Sequence, residues 1–375
     1  MEQPTTKRCI VSTCGTSILT NQGHEIRKLI IDYAHVKDKT DIGENDRKEL
    51  ENLIKTIKNS LQEEGSIENL KKMSAEINGI TLLYDNHFPN SGDTHYLIAT
   101  DTWLGTEAAS LLKDWLRGRE VNDVQLVAID DLGASSLAEF QLGIAGLIEW
   151  CSQTLPGWRE NQYTITFQLN GGFKSIQGLM QTLAQFYSDE TVYIFESGNE
   201  LLHIPRLPVK LDLEEVVLKH YKIFRRMKAN LEVSKKEVED IPETLIFLLA
   251  ETPTLSPWGE LVWNQIGEQM LGKKLFDSPS EKVVYGKEFE ITVEQLGKSK
   301  LKEINTRITD LACYHEKKDR PNPNRLDLKK LKGSPSPPST HECDAYSDAN
   351  AARLFGHYDE TDKSIFILDK MHSHL

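Results

Sequence analysis

The chain has 375 residues, 39% of them hydrophobic, and a formal net charge of −13. A chain of this length can form more than one domain, because single hydrophobic cores rarely exceed about 250–300 residues. The acidic charge argues against a protein that coats nucleic acid non-specifically, and no apolar run reaches the roughly 18 residues of a membrane span. Five scattered cysteines without a C-x-x-C pair indicate neither a zinc site nor a disulfide framework. We therefore expect reduced thiols, no metal and a cytoplasmic location.

Residues 1–212 alternate short apolar or β-branched runs with amphipathic stretches. The runs predicted to be strands are 9–18, 95–102, 124–130, 163–172 and 191–197. Segments 103–118 and 136–154 carry apolar residues at i, i+3 and i+4 spacing, which is typical of helices. The alternation predicts an α/β fold with a parallel sheet and helices on its faces. The charged segment 35–77 is predicted to be helical, and we assign it no chemistry.

The alternation ends near Asp212, where we place a domain boundary. Residues 213–282 are predicted to form a helical connector with at most one weak strand. Within this connector, Ser256 followed by Pro257 is a typical helix start. Residues 283–375 are then predicted to form a small α+β domain.

This last domain has a clear predicted order of elements. A strand is expected over 283–294 and a helix over 298–317. Three more strands are expected over 340–347, 352–360 and 364–375. The low-complexity insert 333–340 is predicted to be a flexible loop.

Three polar stretches follow predicted strands of the first domain, namely 12–18, 99–107 and 170–175. In a parallel α/β sheet, ligands gather at the carboxyl ends of the strands, where helices present free backbone N–H groups to anions. Glycines, hydroxyl groups and Lys174 in these stretches suit a phosphate or a nucleotide edge. No G-x-G-x-x-G or Walker motif is present, which disfavours a dehydrogenase or a P-loop NTPase.

The stretches STCGTSILT and QLNGGFKSIQGLMQTLAQFYSDETVYIFESGNELLHIPRLPV resemble the CRISPR-associated Rossmann-like domain, the CARF family, over residues 7–212. The resemblance implies a homodimer that binds cyclic oligoadenylate, most commonly cyclic tetra-adenylate, as an allosteric activator. The implied ligand-binding residues are Thr13, Gly15, Thr16, Ser17, Thr100, Asp101, Thr102, Asn170, Gly171, Gly172, Phe173 and Lys174. Some relatives slowly cleave the bound ring, a reaction that Ser17 and Lys174 are placed to support.

A basic segment lies in the last domain. Between His315 and Gly333 there are seven Lys and Arg residues against three acidic ones. Arg353 and His357 are four residues apart in a predicted strand and therefore share one face. His372 and His374 are two residues apart in the last predicted strand and also share one face, together with Lys370. These features predict a local anion site.

The order strand, helix, basic segment and three strands over 285–375 resembles the RelE family of mRNA interferases. This resemblance implies a metal-independent endoribonuclease that cuts mRNA, usually on the ribosome. Such cleavage needs a base, positive charge near the phosphate and an acid. By position, Lys329, Lys330 and Lys332 would contact phosphate and Arg353 would stabilise transition-state charge. His357 or His372 would transfer the proton.

Together the two resemblances predict a type III CRISPR ancillary effector: cyclic oligoadenylate activates a ribonuclease that stops translation during phage infection. One alternative is a CARF-type transcription regulator with a winged helix around 255–271, although that segment lacks basic residues for phosphate contact. The other alternative is a ring nuclease whose last domain is a binding module. Ring size, ribosome dependence and the identity of the acting histidine stay open at this point.

Overall fold

The computed structural model describes residues 7–133, 136–172, 174–195, 200–317, 322–332, 337–346 and 351–373. The chain divides into two compact units, Met1–Lys210 and Leu211–Leu375. Within the described ranges, no helix is long and apolar enough to cross a membrane. The five cysteines are all buried and free of disulfide bonds, as predicted.

The first unit contains a six-stranded sheet of order β3-β2-β1-β4-β5-β6. Its strands are β1 (Arg8–Thr13), β2 (Thr94–Thr100), β3 (Asp123–Ile129), β4 (Thr164–Gln168), β5 (Glu190–Ile194) and β6 (Leu201–Pro205). Strands β1 to β5 are parallel, and β6 is antiparallel to β5. The predicted α/β class with a parallel-sheet core is therefore confirmed. Strand β6 was not predicted.

Eight α-helices and one 3₁₀ turn (Lys39–Asp41) lie between these strands in the described part of the unit. The α-helices are α1 (Ser17–Thr20), α2 (His24–Asp32), α3 (Glu44–Glu63), α4 (Ile67–Met73), α5 (Ala75–Leu83), α6 (Trp103–Gly118), α7 (Leu137–Glu160) and α8 (Lys174–Tyr187). All residues of β2, and all of β1 except its first, are buried. Both faces of these central strands are therefore covered, as is usual for parallel sheets.

The first part of the second unit combines short helices with a hairpin. Its elements are α9 (Glu214–Lys219), α10 (Tyr221–Lys228), β7 (Ile246–Leu249), β8 (Thr252–Leu255), α11 (Pro257–Val262), a π-helical turn (Trp263–Gly267) and α12 (Glu268–Met270). The predicted helix start is confirmed, because the Ser256 hydroxyl accepts a hydrogen bond from Gly259 N. The expectation of at most one strand was wrong. Ala250 and Glu251 form the hairpin turn with positive φ values of 46° and 71°, without the usual Asn-Gly signal.

A five-stranded sheet of order β10-β11-β12-β13-β9 forms the rest of the unit. Its elements are β9 (Val283–Tyr285), α13 (Lys287–Glu294), α14 (Lys298–Glu316), β10 (Lys329–Lys330), β11 (His341–Tyr346), β12 (Ala352–Tyr358) and β13 (Phe366–Ser373). The predicted strand over 283–294 was wrong beyond Tyr285. Phe289 and Val293, four residues apart, are both buried and follow the period of a helix. The helix predicted over 298–317 and the strands predicted over 340–347, 352–360 and 364–375 correspond, in the described residues, to α14, β11, β12 and β13.

Helix α14 packs against one face of this sheet, where Ile304, Ile308 and Leu354 join a common core. Buried Arg225 of α10 donates hydrogen bonds to Asn305 O at 2.7 Å and to Thr309 Oγ1 at 2.7 Å. The segment that precedes the sheet is thus tied to α14 by polar contacts, and 211–375 behaves as one compact unit.

Candidate functional site

The turns that follow β1 and β4 lie side by side in the first unit. The strand order runs away from β1 in one direction to β2 and β3, and in the other to β4 and β5. In open α/β sheets, ligands bind in the crevice at such a switch point. The Thr13 hydroxyl donates a hydrogen bond of 2.6 Å to Gly171 O. A Cβ atom on Gly15 would lie 2.7 Å from Gly172 N, so the two backbones approach too closely for a side chain there.

A shallow pocket of about 220 Å³ opens above these two turns. Its lining consists of Gly15, Thr16, Ser17, Thr20, Ala75, Asn170, Gly171 and Gly172. Six of these eight residues belong to the predicted ligand-binding set. The fold therefore brings together the predicted residues of the first and last polar stretches.

Glu76 lies beneath this pocket and was missed in the sequence. Its side chain is fully buried. One carboxylate oxygen accepts a hydrogen bond from Gly15 N at 2.8 Å, and the other accepts from the hydroxyls of Ser74, at 2.6 Å, and Ser17. Ser74 also caps α5, the helix that carries Glu76. The sequence signal for a buried carboxylate was Glu76 in the first turn of α5, a helix whose other residues are mostly buried.

This carboxylate changes what the β1 turn can offer to a ligand. The sequence suggested that the Gly15 amide and the Ser17 hydroxyl would donate to a phosphate. Both groups already donate to Glu76. A phosphate at this turn would meet a buried carboxylate, so these two groups would have to leave Glu76 before they could donate to an anion.

On the β4 side, Asn170 and Lys174 have different positions. The Asn170 side-chain oxygen accepts a hydrogen bond from Ile194 N at 2.6 Å, which ties the end of β4 to β5. Lys174 is the first residue of α8 and is exposed. A cation at a helix N-terminus is unfavourable next to the helix dipole unless an anion is bound nearby. Phe173 lies outside the described residues.

The polar stretch that follows β2, residues 99–107, makes structural hydrogen bonds. Thr100 and Thr102 are buried and share a hydrogen bond of 2.9 Å, and Thr102 caps α6. Asp101 accepts hydrogen bonds from Asp131 N at 2.9 Å and forms an ion pair of 2.6 Å with Lys37. Burial works against ionisation of Asp101, but these contacts hold its pKa below the usual value. The described contacts of these three side chains are made within the protein, and their contact with a ligand stays a prediction.

In the second unit, the predicted catalytic residues are divided between the two faces of the five-stranded sheet. Arg353 lies opposite His372 in the register, and Lys329 lies opposite Glu342. Side chains of paired residues share a face, and alternation along the strands places Lys329, Arg353, Phe355, His357, Lys370 and His372 on the face away from α14. We call this the open face. Lys330 pairs with His341 and lies on the opposite face, and Lys332 follows β10 in an exposed loop.

Arg353 is surrounded by carboxylates. Its guanidinium is 3.1 Å from Glu342, 3.5 Å from Asp344 and 4.0 Å from Asp327. Lys329 pairs with Asp327 and lowers the pKa of that carboxyl. Lys329, predicted to contact phosphate, and Arg353, predicted to stabilise transition-state charge, are therefore both paired with carboxylates. An anionic ligand at this face would compete with these acids.

His357 belongs to a separate buried cluster at the other end of β12. Its Nδ1 atom is 2.9 Å from one carboxylate oxygen of Asp369 and 3.0 Å from the other. The Ser339 hydroxyl donates to the same carboxylate at 2.7 Å. Ser339 and Asp369 are buried and were not predicted. His372 is exposed, and its ring meets that of Phe355 edge-on at 6.2 Å. His374 and residues 333–336 of the predicted loop lie outside the described residues.

Comparison with known proteins gives one family. Residues 71–207 match the family model described as CRISPR-associated protein (Cas_APE2256). The matched stretch includes Glu76 and the β4 turn but not β1 or any of the second unit. No curated protein matches the chain. The match supports a CRISPR-associated protein. In the described parts of the chain, no cluster of three His, Cys, Asp or Glu side chains is arranged to hold a metal ion.

Proposed function

We propose that the first unit senses cyclic oligoadenylate, with cyclic tetra-adenylate as the first candidate, and that the second unit is a RelE-like, metal-independent endoribonuclease that cuts mRNA at the ribosome. The protein would act as an ancillary effector of type III CRISPR defence. The observation that carries this proposal is the pocket at the switch point, where the β1 and β4 turns meet within a unit that matches CRISPR-associated proteins over part of its length.

The pocket suits part of a ring rather than a whole one. Its volume of about 220 Å³ is below the roughly 300–1,000 Å³ of sites that enclose a drug-sized ligand. A ring with two-fold symmetry can be shared by two copies of the chain, each contributing the same residues. Lys174, at the start of α8, supplies the positive charge that a bridging phosphate requires.

The support for RNA cleavage is the open face of the sheet. Lys329, Arg353, Lys370 and two histidines share it, and Phe355 adds an aromatic ring on which a base can stack. Positive charge near the phosphate and an imidazole for proton transfer are the groups that metal-independent RNA cleavage uses. The carboxylates around Arg353 make this face nearly neutral, which fits an enzyme that must not cut RNA without a signal.

Activation then requires two arrangements of the protein with different affinities for the activator. A ligand shifts a population only by its differential affinity for the two states. We propose that the state favoured by cyclic oligoadenylate is the one in which substrate phosphate takes the place of Glu342 and Asp344 on Arg353.

The test is mRNA integrity in a reconstituted translation mixture with and without cyclic tetra-adenylate. We expect wild-type protein to cut the message only with the activator. Lys174→Ala should lose activation, and Arg353→Ala should lose cleavage with activator affinity unchanged. The matched controls are exposed lysines, Lys28→Ala in the first unit and Lys363→Ala in the second. Cleavage by Arg353→Ala at the wild-type rate would reject the role carried over from the RelE resemblance to Arg353.

A ring-nuclease activity is the second candidate. The pocket that holds Ser17 would then contain a reacting phosphodiester, and the activator would be consumed while the message stays whole. Chromatography of the nucleotide from the same reactions separates the two cases. No contact in the described residues favours the regulator, whose suggested DNA-reading segment 255–271 contains no Lys or Arg.

A further inference from the structure

We propose that His357 is the proton-transfer residue of the second unit and that Asp369, held by Ser339, is its positioning residue. This inference rests on the proposed RNA cleavage and decides between the two histidines that sequence reasoning left open. It also assigns a role to two residues outside the predicted set.

The geometry of the cluster carries the inference. Asp369 is 7% exposed and Ser339 is fully buried, whereas the His357 side chain remains 20% exposed. The carboxylate is therefore buried more deeply than the imidazole, part of which remains accessible. Three different segments, before β11, in β12 and in β13, converge here, so the cluster depends on the tertiary fold rather than on local sequence.

The hydrogen bonds fix the tautomer of His357. An ionised carboxylate only accepts hydrogen bonds, so Nδ1 of the neutral ring must carry the proton. The Nε2 atom then presents a lone pair, which is the form a general base needs. The Ser339 hydroxyl has one proton and donates it to Asp369 at 2.7 Å, which restrains the carboxylate in turn. A carboxylate behind an imidazole is a common way to orient that ring.

His372 has no comparable support. It is exposed, and its described contact is the edge-on approach to Phe355. No carboxylate hydrogen bond to its ring is seen among the described residues. His372 is suited to contact RNA, but nothing in the described structure prepares it for proton transfer.

His357 also has a suitable distance from Arg353. The two are four positions apart in the strand, which is about 13 Å between their Cα atoms. The Arg353 guanidinium contacts Glu342, which pairs with Phe355, so it extends along the sheet toward His357. A base stacked on Phe355 would have its phosphate between the guanidinium and the imidazole.

The reaction is an internal transesterification of RNA. His357 Nε2 takes the proton of a ribose 2′-hydroxyl, and the 2′-oxygen forms a bond to the adjacent phosphorus. The bond between phosphorus and the 5′-oxygen breaks, and the leaving oxygen takes a proton from solvent water. The products are a 2′,3′-cyclic phosphate and a 5′-hydroxyl. His357 returns its proton to solvent.

The experiment compares full-length variants in single-turnover cleavage of ribosome-bound mRNA with cyclic tetra-adenylate. We expect His357→Ala to slow the maximal rate by about 10²–10⁴-fold, the range of general acid–base catalysis. Asp369→Asn should slow the maximal rate at least tenfold without changing the mRNA concentration for half-maximal rate. His372→Ala should lose less of the maximal rate than His357→Ala, and Lys363→Ala, an exposed control, should stay within threefold of wild type. A rate for Asp369→Asn within threefold of wild type, or a larger loss in His372→Ala than in His357→Ala, would overturn the proposal.

A second measurement does not depend on cleavage. Nitrogen-15 NMR of labelled histidine reports which ring nitrogen carries the proton. We expect His357 to be the Nδ1–H tautomer in wild type and a mixture in Asp369→Asn, because an amide can turn either its oxygen or its NH₂ group to the ring. An Nε2–H tautomer in wild type would refute the positioning role. If the tautomer is as expected but the wild-type protein does not cut RNA, the proposed ribonuclease function fails. The hydrogen bond that positions His357 is then still supported.

Discussion

Replacing Glu76 tests the architecture of the first site most directly. The Glu76→Ala variant removes a buried carboxylate that accepts hydrogen bonds from one backbone N–H and two hydroxyls. A hydrogen bond to a charged group contributes about 1.5–3 kcal/mol, and an orphaned buried donor costs about 1–3 kcal/mol. The hydroxyls of Ser17 and Ser74 can rotate to other acceptors, but the Gly15 amide cannot. We expect a net loss of about 3–5 kcal/mol in the free energy of unfolding of the first unit.

Glu76→Gln is the informative comparison. The amide oxygen retains the bond from Gly15, and the amide NH₂ group faces two hydroxyls that can turn to accept from it. We expect a loss of only about 1–2 kcal/mol. Exposed Glu49 in α3 gives a control, for which Glu49→Ala should change stability by less than about 0.5 kcal/mol.

Scanning calorimetry measures these differences because two compact units can give two transitions. In a unit of this size, each kcal/mol shifts the midpoint by about 2–4 °C, so Glu76→Ala should lower the transition of the first unit by about 6–20 °C. Hydrogen exchange of peptides that cover 8–20 should rise in the same variant. A midpoint within about 3 °C of wild type, or an equal fall in Glu76→Gln, would refute the reasoning.

Three further predictions concern both units. Gly15→Ala places a Cβ atom 2.7 Å from the backbone nitrogen of Gly172 in the facing turn. Titration calorimetry should show at least tenfold weaker binding of cyclic tetra-adenylate by this variant. The control variant Gly178→Ala has open space around its Cβ position and should bind the nucleotide normally. Glu342→Gln removes the nearest carboxylate from Arg353, so RNA affinity by fluorescence anisotropy should rise severalfold; unchanged affinity at low salt would show that this ion pair does not oppose RNA. Burial lowers the pKa of His315 from 6.5 to about 4 in the folded protein. As the pH falls below 6.5, the unfolded state therefore binds a proton at this residue before the folded state does. The free energy of unfolding should decrease between pH 6.5 and about 4. In His315→Phe, this part of the acid sensitivity should disappear from urea titrations at each pH.

The sequence predicted the elements whose residue pattern reflects burial. Strands β1 to β5 are apolar or β-branched runs, and α6 and α14 show helical spacing. The hairpin around Ala250 was missed because non-glycine residues adopt its left-handed turn, which pairing across the hairpin must stabilise. The strand expected over 283–294 was wrong because Phe289 and Val293 follow a helical period that a short apolar run does not reveal.

The candidate sites were predictable in part. Residues that follow β1 and β4 could be placed together, since the carboxyl ends of parallel strands share one edge of the sheet. The contribution of Glu76 could not be predicted, because it comes from a distant helix in a segment whose charge suggested a solvated surface. The same holds for Asp369 and Ser339, which meet His357 only after three strands have paired. The sequence correctly placed the Ser17 hydroxyl at the pocket. Whether this hydroxyl donates to a ligand depends on the Glu76 carboxylate, which only the fold brings to it.

One residue of β13 decides which charges RNA would meet. Phe355 pairs with Lys370 and Gly356 pairs with Leu368, so Asp369 is an extra residue in the strand, a β-bulge. Before the bulge, even-numbered residues of β13 point toward α14; after it, they point away. If the strand paired regularly after Leu368, without the bulge, Asp369 would lie opposite Phe355 and Lys370 opposite Leu354. Lys370 and His372 would then turn toward the hydrophobic core, and Met371 would turn outward. The chemical identity of the open face therefore depends on this bulge, which absorbs the extra residue and keeps Lys370 and His372 on that face.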